Sequence, residues 1–249
     1  MPSPRESAIE RGIEFFAGHR LRPDALIVLH MLHRRFEIEA LSGMPEAHDE
    51  WLLQRALVID SDGAEAARIR VFRRLLFPEN GVRPADLGLI VQRHDAVISP
   101  ALYCDRMALP SDYGRTLRRE AERGGYELTH VGLALLWMRD LGCEPPTSQY
   151  FAASVVERVA ALPNADARIH DMELEAAALV YYLGRGDEIA AGFVDAVLAA
   201  QRPDGGWSAD SKTRPNTSSP HPTFMALWLL LEVDRAGTAT FVPPLANDR

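Results

Sequence analysis

Apolar residues recur at three- and four-residue spacing along almost the whole chain, and no stretch alternates convincingly with a period of two. That pattern sets aside the sheet folds and leaves helix packed on helix. It predicts helices over about 6–18, 23–36, 46–59, 64–76, 84–93, 95–108, 112–124, 127–142, 148–162, 170–184, 187–201 and 221–234. Pro23-Asp24, Pro84, Ser111-Asp112 and Thr147-Ser148 suit helix starts, where proline loses no hydrogen bond and a short polar side chain caps free N–H groups. Gly124-Gly125, Gly142 and Gly184 suit helix ends, which often close through a left-handed residue.

Twelve helices joined by short loops make six hairpins of roughly 40 residues, a period that reads as a repeat architecture. Helices 127–142, 170–184 and 221–234 are apolar nearly all round and read as inner. Helices 112–124, 148–162 and 187–201 carry more charge and read as outer. The expected fold is therefore all-α: an α/α toroid of about six helical hairpins, forming a single domain over residues 1–249. In such a ring the inner helices run parallel, so their N-terminal ends meet at one mouth of the central cavity.

At 249 residues and 47% hydrophobic the chain can bury a substantial core. A net charge of −8 argues against nucleic acid as a partner, since phosphate binding needs a basic face. The short basic run Arg68–Arg74 reads as a solvated helix face. The longest apolar run, Phe224–Val233, is about half of the ~20 residues needed to cross a bilayer, so no membrane insertion is expected. With two cysteines, Cys104 and Cys143, there is no disulfide framework, and buried free cysteine usually serves packing. The N-terminus has no apolar run of the signal-peptide kind. The expectation is a cytoplasmic protein whose partner is a small-molecule substrate.

Four of the eight histidines, His94, His130, His170 and His221, sit at the beginnings of candidate inner helices. At one cavity mouth they would converge. Carboxylates accompany them: Asp95 follows His94, Glu127 lies three residues before His130, and Asp171 and Glu173 follow His170. Imidazole with carboxylate is a ligand set for zinc, iron or manganese. The same groups also suit general acid–base work, or the capping of helix N-termini. Tyr103, Trp137, Tyr181, Tyr182, Phe224 and Trp228 fall on candidate inner helices and serve either as core or as the lining of an apolar pocket.

The string Gln201-Arg-Pro-Asp204-Gly205-Gly206-Trp207 resembles the repeated turn motif of the terpenoid cyclases, in which the glutamine and tryptophan tie neighbouring hairpins together. The stretch that follows, with Lys212, Arg214-Pro215 and then His221-Pro-Thr223, is similar to the protein prenyltransferase pattern of a basic loop before Tyr-His-Thr. In that family the histidine binds zinc, which implies a metal-binding role for His221, although Pro220 stands for the tyrosine and Pro222 separates histidine from threonine. The family's Asp-x-Cys is matched by Asp171-Met-Glu173, with glutamate for cysteine. The Asp-x-Asp-Asp and Asp-Asp-x-x-Asp acid motifs are absent, as is the Cys…Cys-His triad of the lanthipeptide cyclases. The resemblance covers about 60 residues and implies the fold more strongly than the activity.

Together these readings point first to a divalent-metal enzyme, zinc foremost, with ligands from His130, His170, Asp171 and His221. Glu127, Glu173 and Asp95 would act as catalytic carboxylates or support the ligands. The reaction would be hydrolysis, elimination or cyclisation of a small, partly apolar substrate. Two alternatives stand beside it: a metal-free acid–base enzyme for an isoprenoid-like or sugar substrate, using Asp95 and Asp171, and a binding or scaffold protein without catalysis.

Overall fold

The computed structural model describes residues 2–19, 21, 23–42, 63–75, 79, 81–163, 169–208 and 218–234. The expected helix at 46–59, His48, and the loop with Lys212 and Arg214-Pro215 lie outside the described residues. Within them the chain is all-α. The helices are α1 (Pro4–Ala17), α2 (Pro23–Phe36), α3 (Glu39–Ser42), α4 (Ala64–Phe72), α5 (Pro84–Gly88), α6 (Arg93–Leu102), α7 (Tyr113–Arg123), α8 (Gly125–Asp140), α9 (Gln149–Ala161), α10 (Asp171–Tyr182), α11 (Phe193–Ala199) and α12 (Pro220–Asp234). Two 3₁₀ turns, Arg73–Leu75 and Gly186–Glu188, complete them. The chain forms two compact units, one on residues 1–21 and 156–240, the other on residues 22–155.

The first unit joins the beginning of the chain to its later helices. Ser3 and Glu6 cap each other's backbone N–H groups at the start of α1, with Pro4 as the first helical residue. α10 and α12 form the central pair. Every residue of α12 from Pro222 to Glu232 is buried, as is α10 from Glu173 to Val180, so both helices are covered on all sides. The small Ala176-Ala177-Ala178 run allows close approach between them. They run parallel: Asp171 meets His221 at their starts, and Tyr182 packs edge-on against Trp228 further along, with ring centroids 5.7 Å apart.

The turn Gln201–Trp207 holds this unit together. Gln201 Nε2 donates to Ala8 O of α1 at 2.8 Å and to Gly205 O at 2.9 Å, while Arg11 donates to Gln201 Oε1. The buried indole of Trp207 donates to Val197 O of α11 at 2.8 Å. The Trp207 backbone N–H donates to Thr223 Oγ1 of α12 at 2.9 Å. Asp204 Oδ1 accepts from Gly206 N and from Ser218 Oγ. Gly205 has φ 84°, and a Cβ there would lie 2.2 Å from Arg11 O, so only glycine fits. Glutamine and tryptophan thus tie neighbouring helices to one another.

In the second unit α6 and α8 form the corresponding parallel pair. His94 and His130 stack near their starts, and beyond their ends Cys104 is disulfide-bonded to Cys143. This corrects the expectation of free packing cysteines. The two are 39 positions apart with no spacing motif, so only the parallel packing of α6 and α8 brings them together. The chain leaves α8 through left-handed Gly142 (φ 71°). There Gly142 N–H bonds Arg139 O and Cys143 N–H bonds Met138 O, the paired closure of a Schellman end.

The basic run from α4 into the Arg73–Leu75 turn is also corrected. Its arginines do not form a solvated face; three of them grip aspartates of later segments. Arg68 pairs with Asp95 of α6 at 2.5 Å, and Arg70 with Asp86 of α5 at 2.6 Å. Arg74, almost wholly buried, makes a two-pronged contact with Asp105 at 2.6 and 2.5 Å. Arg74 also donates to Leu102 O and lies over the Tyr103 ring. Burial alone would raise the Asp86 carboxyl, but Arg70 and Arg83 overcome it and hold its pKa at about 2. A helix with basic residues on every turn looked solvated because the sequence does not show where the aspartates return.

Candidate functional site

Each unit carries a histidine–carboxylate contact where the helices of its parallel pair begin. The site of the first unit is the simpler. Asp171 opens α10 and His221 is the second residue of α12. The imidazole Nδ1 lies 2.7 Å from Asp171 Oδ1, a charge-assisted hydrogen bond in which Nδ1–H donates. Glu175, one helical turn beyond Asp171, places its Oε2 3.9 Å from His221 Nε2. The imidazole is half exposed, while both carboxylates are largely buried. An acceptor on Nδ1 selects the tautomer whose Nε2 carries a lone pair, so Nε2 is the basic nitrogen.

Position along α10 explains why these side chains meet. Residues four apart share a helix face, so Asp171 and Glu175 both reach α12. Glu173 points elsewhere: it is buried, and its Oε2 has no hydrogen-bond partner within the described residues. His170 is the N-cap of α10 but makes no capping bond, and its ring has no hydrogen-bond or ionic partner among the described residues. Glu175 is therefore the residue that sequence reasoning missed. The available signal was its i, i+4 spacing from Asp171; the Asp-x-Glu resemblance drew attention to Glu173 instead.

Aromatic side chains continue the α10–α12 seam below the site. Phe224 and Trp228 have ring centroids 6.0 Å apart, and Trp228 then meets Tyr182. All three are buried, and the Trp228 indole donates to Glu232 Oε1 at 2.9 Å. Thr223 is structural: its hydroxyl donates to Ser219 O at 2.7 Å and receives the Trp207 N–H.

In the second unit His94 stacks on His130 with ring centroids 4.7 Å apart, and its Nε2 lies 3.7 Å from Glu127 Oε1. His130 Nδ1–H donates to Tyr126 O at 2.8 Å. Arg93 also approaches Glu127, at 3.5 Å. The Glu127 carboxyl is held below its usual range, first by its own backbone N–H and then, against burial, by His94 and Arg93. Asp95 is buried and engaged by Arg68, which gives it a structural ion pair between α6 and α4.

The expected metal ligands divide between the units, with His130 in the second and His170, Asp171 and His221 in the first. No three His, Cys, Asp or Glu side chains among the described residues form a group able to hold a metal ion. At the first-unit site one imidazole nitrogen and one carboxylate face each other, short of the three protein ligands that hold catalytic zinc. The Nδ1 contact to Asp171 is what a proton-transfer histidine needs, and it is equally the contact that orients a metal-binding one. No helix among the described residues is long and apolar enough to cross a membrane. No family model, no curated protein and no solved structure matches the chain.

Proposed function

We propose that this chain is an enzyme of the α/α-toroid kind that moves a proton on a small, partly apolar substrate. The 2.7 Å bond from His221 Nδ1 to Asp171 carries this reading. Asp171 fixes the ring and its tautomer, and it stabilises the charge that develops when Nε2 takes a proton. Glu175 sits beside Nε2, where it stabilises the protonated ring in turn. An imidazole held between two carboxylates suits elimination, isomerisation or cyclisation started by proton removal or delivery. The apolar character of the substrate rests on the Phe224–Trp228–Tyr182 seam beneath the site. The ring of six hairpins belongs to this proposal too; the two parallel helix pairs, one of them covered on all sides, support it.

The test is a screen of isoprenoid and sugar substrates in exhaustively chelated buffer, run with wild type, His221→Gln and Asp171→Asn. Turnover that survives chelation and falls about 10²–10⁴-fold in either variant is the expected result. Turnover lost on chelation and restored by zinc would return the reaction to a metal centre. Turnover indifferent to both substitutions would move the chemistry away from this pair.

A further inference from the structure

The disulfide of the second unit is not the only thing holding its cysteines in place. Cys104 follows α6 in a turn anchored on both sides. Before it, Arg74 binds Leu102 O, and Tyr103 OH donates to Val71 O at 2.8 Å. After it, Asp105 accepts both prongs of Arg74, and Arg106 donates to Glu79 O at 2.8 Å. Cys143 is fixed by the closure of α8, where its own N–H bonds Met138 O at 2.8 Å behind left-handed Gly142. Neither set of contacts uses a sulfur atom. Both backbones are therefore held by contacts other than the bridge. Both cysteines are only half buried, and Asp105, Arg106, Gly142 and Glu144 beside them are exposed, so a small reagent has access.

We propose that Cys104 and Cys143 form a reversible dithiol–disulfide couple, opened by a dithiol reductant and closed again by a disulfide oxidant with the unit still folded. In the opening step a thiolate of the reductant attacks one sulfur. The Cys104–Cys143 bond breaks, a mixed disulfide forms, and the other cysteine leaves as a thiolate. The second thiol of the reductant then attacks the mixed disulfide. The reductant departs as an oxidised disulfide, and the protein keeps both electrons and both protons as two thiols. Closure is the reverse exchange with an oxidised disulfide. Because the two thiols stay in register, its final step is intramolecular.

The whole chain is treated with dithiothreitol, its thiols are counted, and helicity and melting are recorded. It is then reoxidised with glutathione disulfide at two widely separated protein concentrations. Release of two thiols per chain, unchanged helicity, a cooperative melt at lower temperature, and closure at a rate independent of protein concentration are expected. Failure to release thiols from the native protein, collapse of helicity on reduction, or cross-linked chains on reoxidation would overturn the proposal. Gly142→Ala strains the turn that positions Cys143 while leaving α8 itself intact. Closure slowed several-fold in that variant supports pre-positioning by the turn; closure at the wild-type rate contradicts it.

Discussion

His221 carries different duties on its two ring nitrogens. Nδ1 is committed to Asp171 and Nε2 lies 3.9 Å from Glu175 Oε2, so the ring is oriented before any substrate arrives. Asp171→Asn should keep the fold but remove the charge that supports a protonated ring, with turnover falling about 10²–10⁴-fold at neutral pH. Steady-state kinetics on any substrate found by the screen checks this, with unchanged far-ultraviolet dichroism as the control. A buried arginine gives a second test at the same scale. Arg74→Ala takes the donor from the Leu102 carbonyl and leaves Asp105 to Arg106, a loss of about 1–3 kcal/mol in chemical denaturation. Arg119, well exposed and lying along Glu120, should cost no more than about 1 kcal/mol when replaced by alanine. The pairings of Arg68, Arg70 and Arg74 were illegible in the sequence, since each depends on an aspartate 16 to 31 positions away.

Helices and their ends were the most legible level. Spacing located α8, α10 and α12 to within a few residues, and the glycine stops at Gly124, Gly142 and Gly184 are all left-handed. Burial on every side follows from an apolar circumference, which is why the covered helices could be told from the charged ones. Side-chain direction was less legible. Asp171 and Glu175 share a face by simple helix geometry, yet which face meets α12 depends on packing that one helix does not encode. The turn between α11 and α12 offers the prediction proper to this scale. Gly205→Ala forces a Cβ toward Arg11 O at a left-handed position, a loss of at least about 2 kcal/mol. Gln201→Ala removes donors to Ala8 O and Gly205 O, a loss of about 2 kcal/mol. Urea midpoints of the two variants measure both.

At the scale of the whole molecule, pH response and cross-linking set the stability. His30 is held neutral by burial, with the charges of His33 and Arg34 adding to the effect, so its folded pKa is about 4 against an ordinary 6.5. The unfolded chain therefore takes up this proton first. Stability is whole above pH 6.5 and declines as the pH falls toward 4. Asp86 acts later: its pairing with Arg70 and Arg83 counts fully above its ordinary 3.8 and is lost as the pH falls toward 2. Urea titrations from pH 7 down to pH 3 should show the first decline, and His30→Gln should flatten it. The bridge between Cys104 and Cys143 closes a span of 39 positions, for which loop entropy gives about 4 kcal/mol. Its existence was hidden from composition, because a pair of unspaced cysteines reads the same whether or not the fold joins them.

The tautomer of His221 shows whether Asp171 sets the imidazole. Long-range ¹⁵N–¹H spectra, taken at a pH where the ring is neutral, distinguish a proton on Nδ1 from one on Nε2. Nδ1–H is expected in the wild type and a shift toward Nε2–H in Asp171→Asn. A wild-type ring protonated on Nε2 would show that Asp171 does not set the imidazole, and the proton-transfer reading would fall with it.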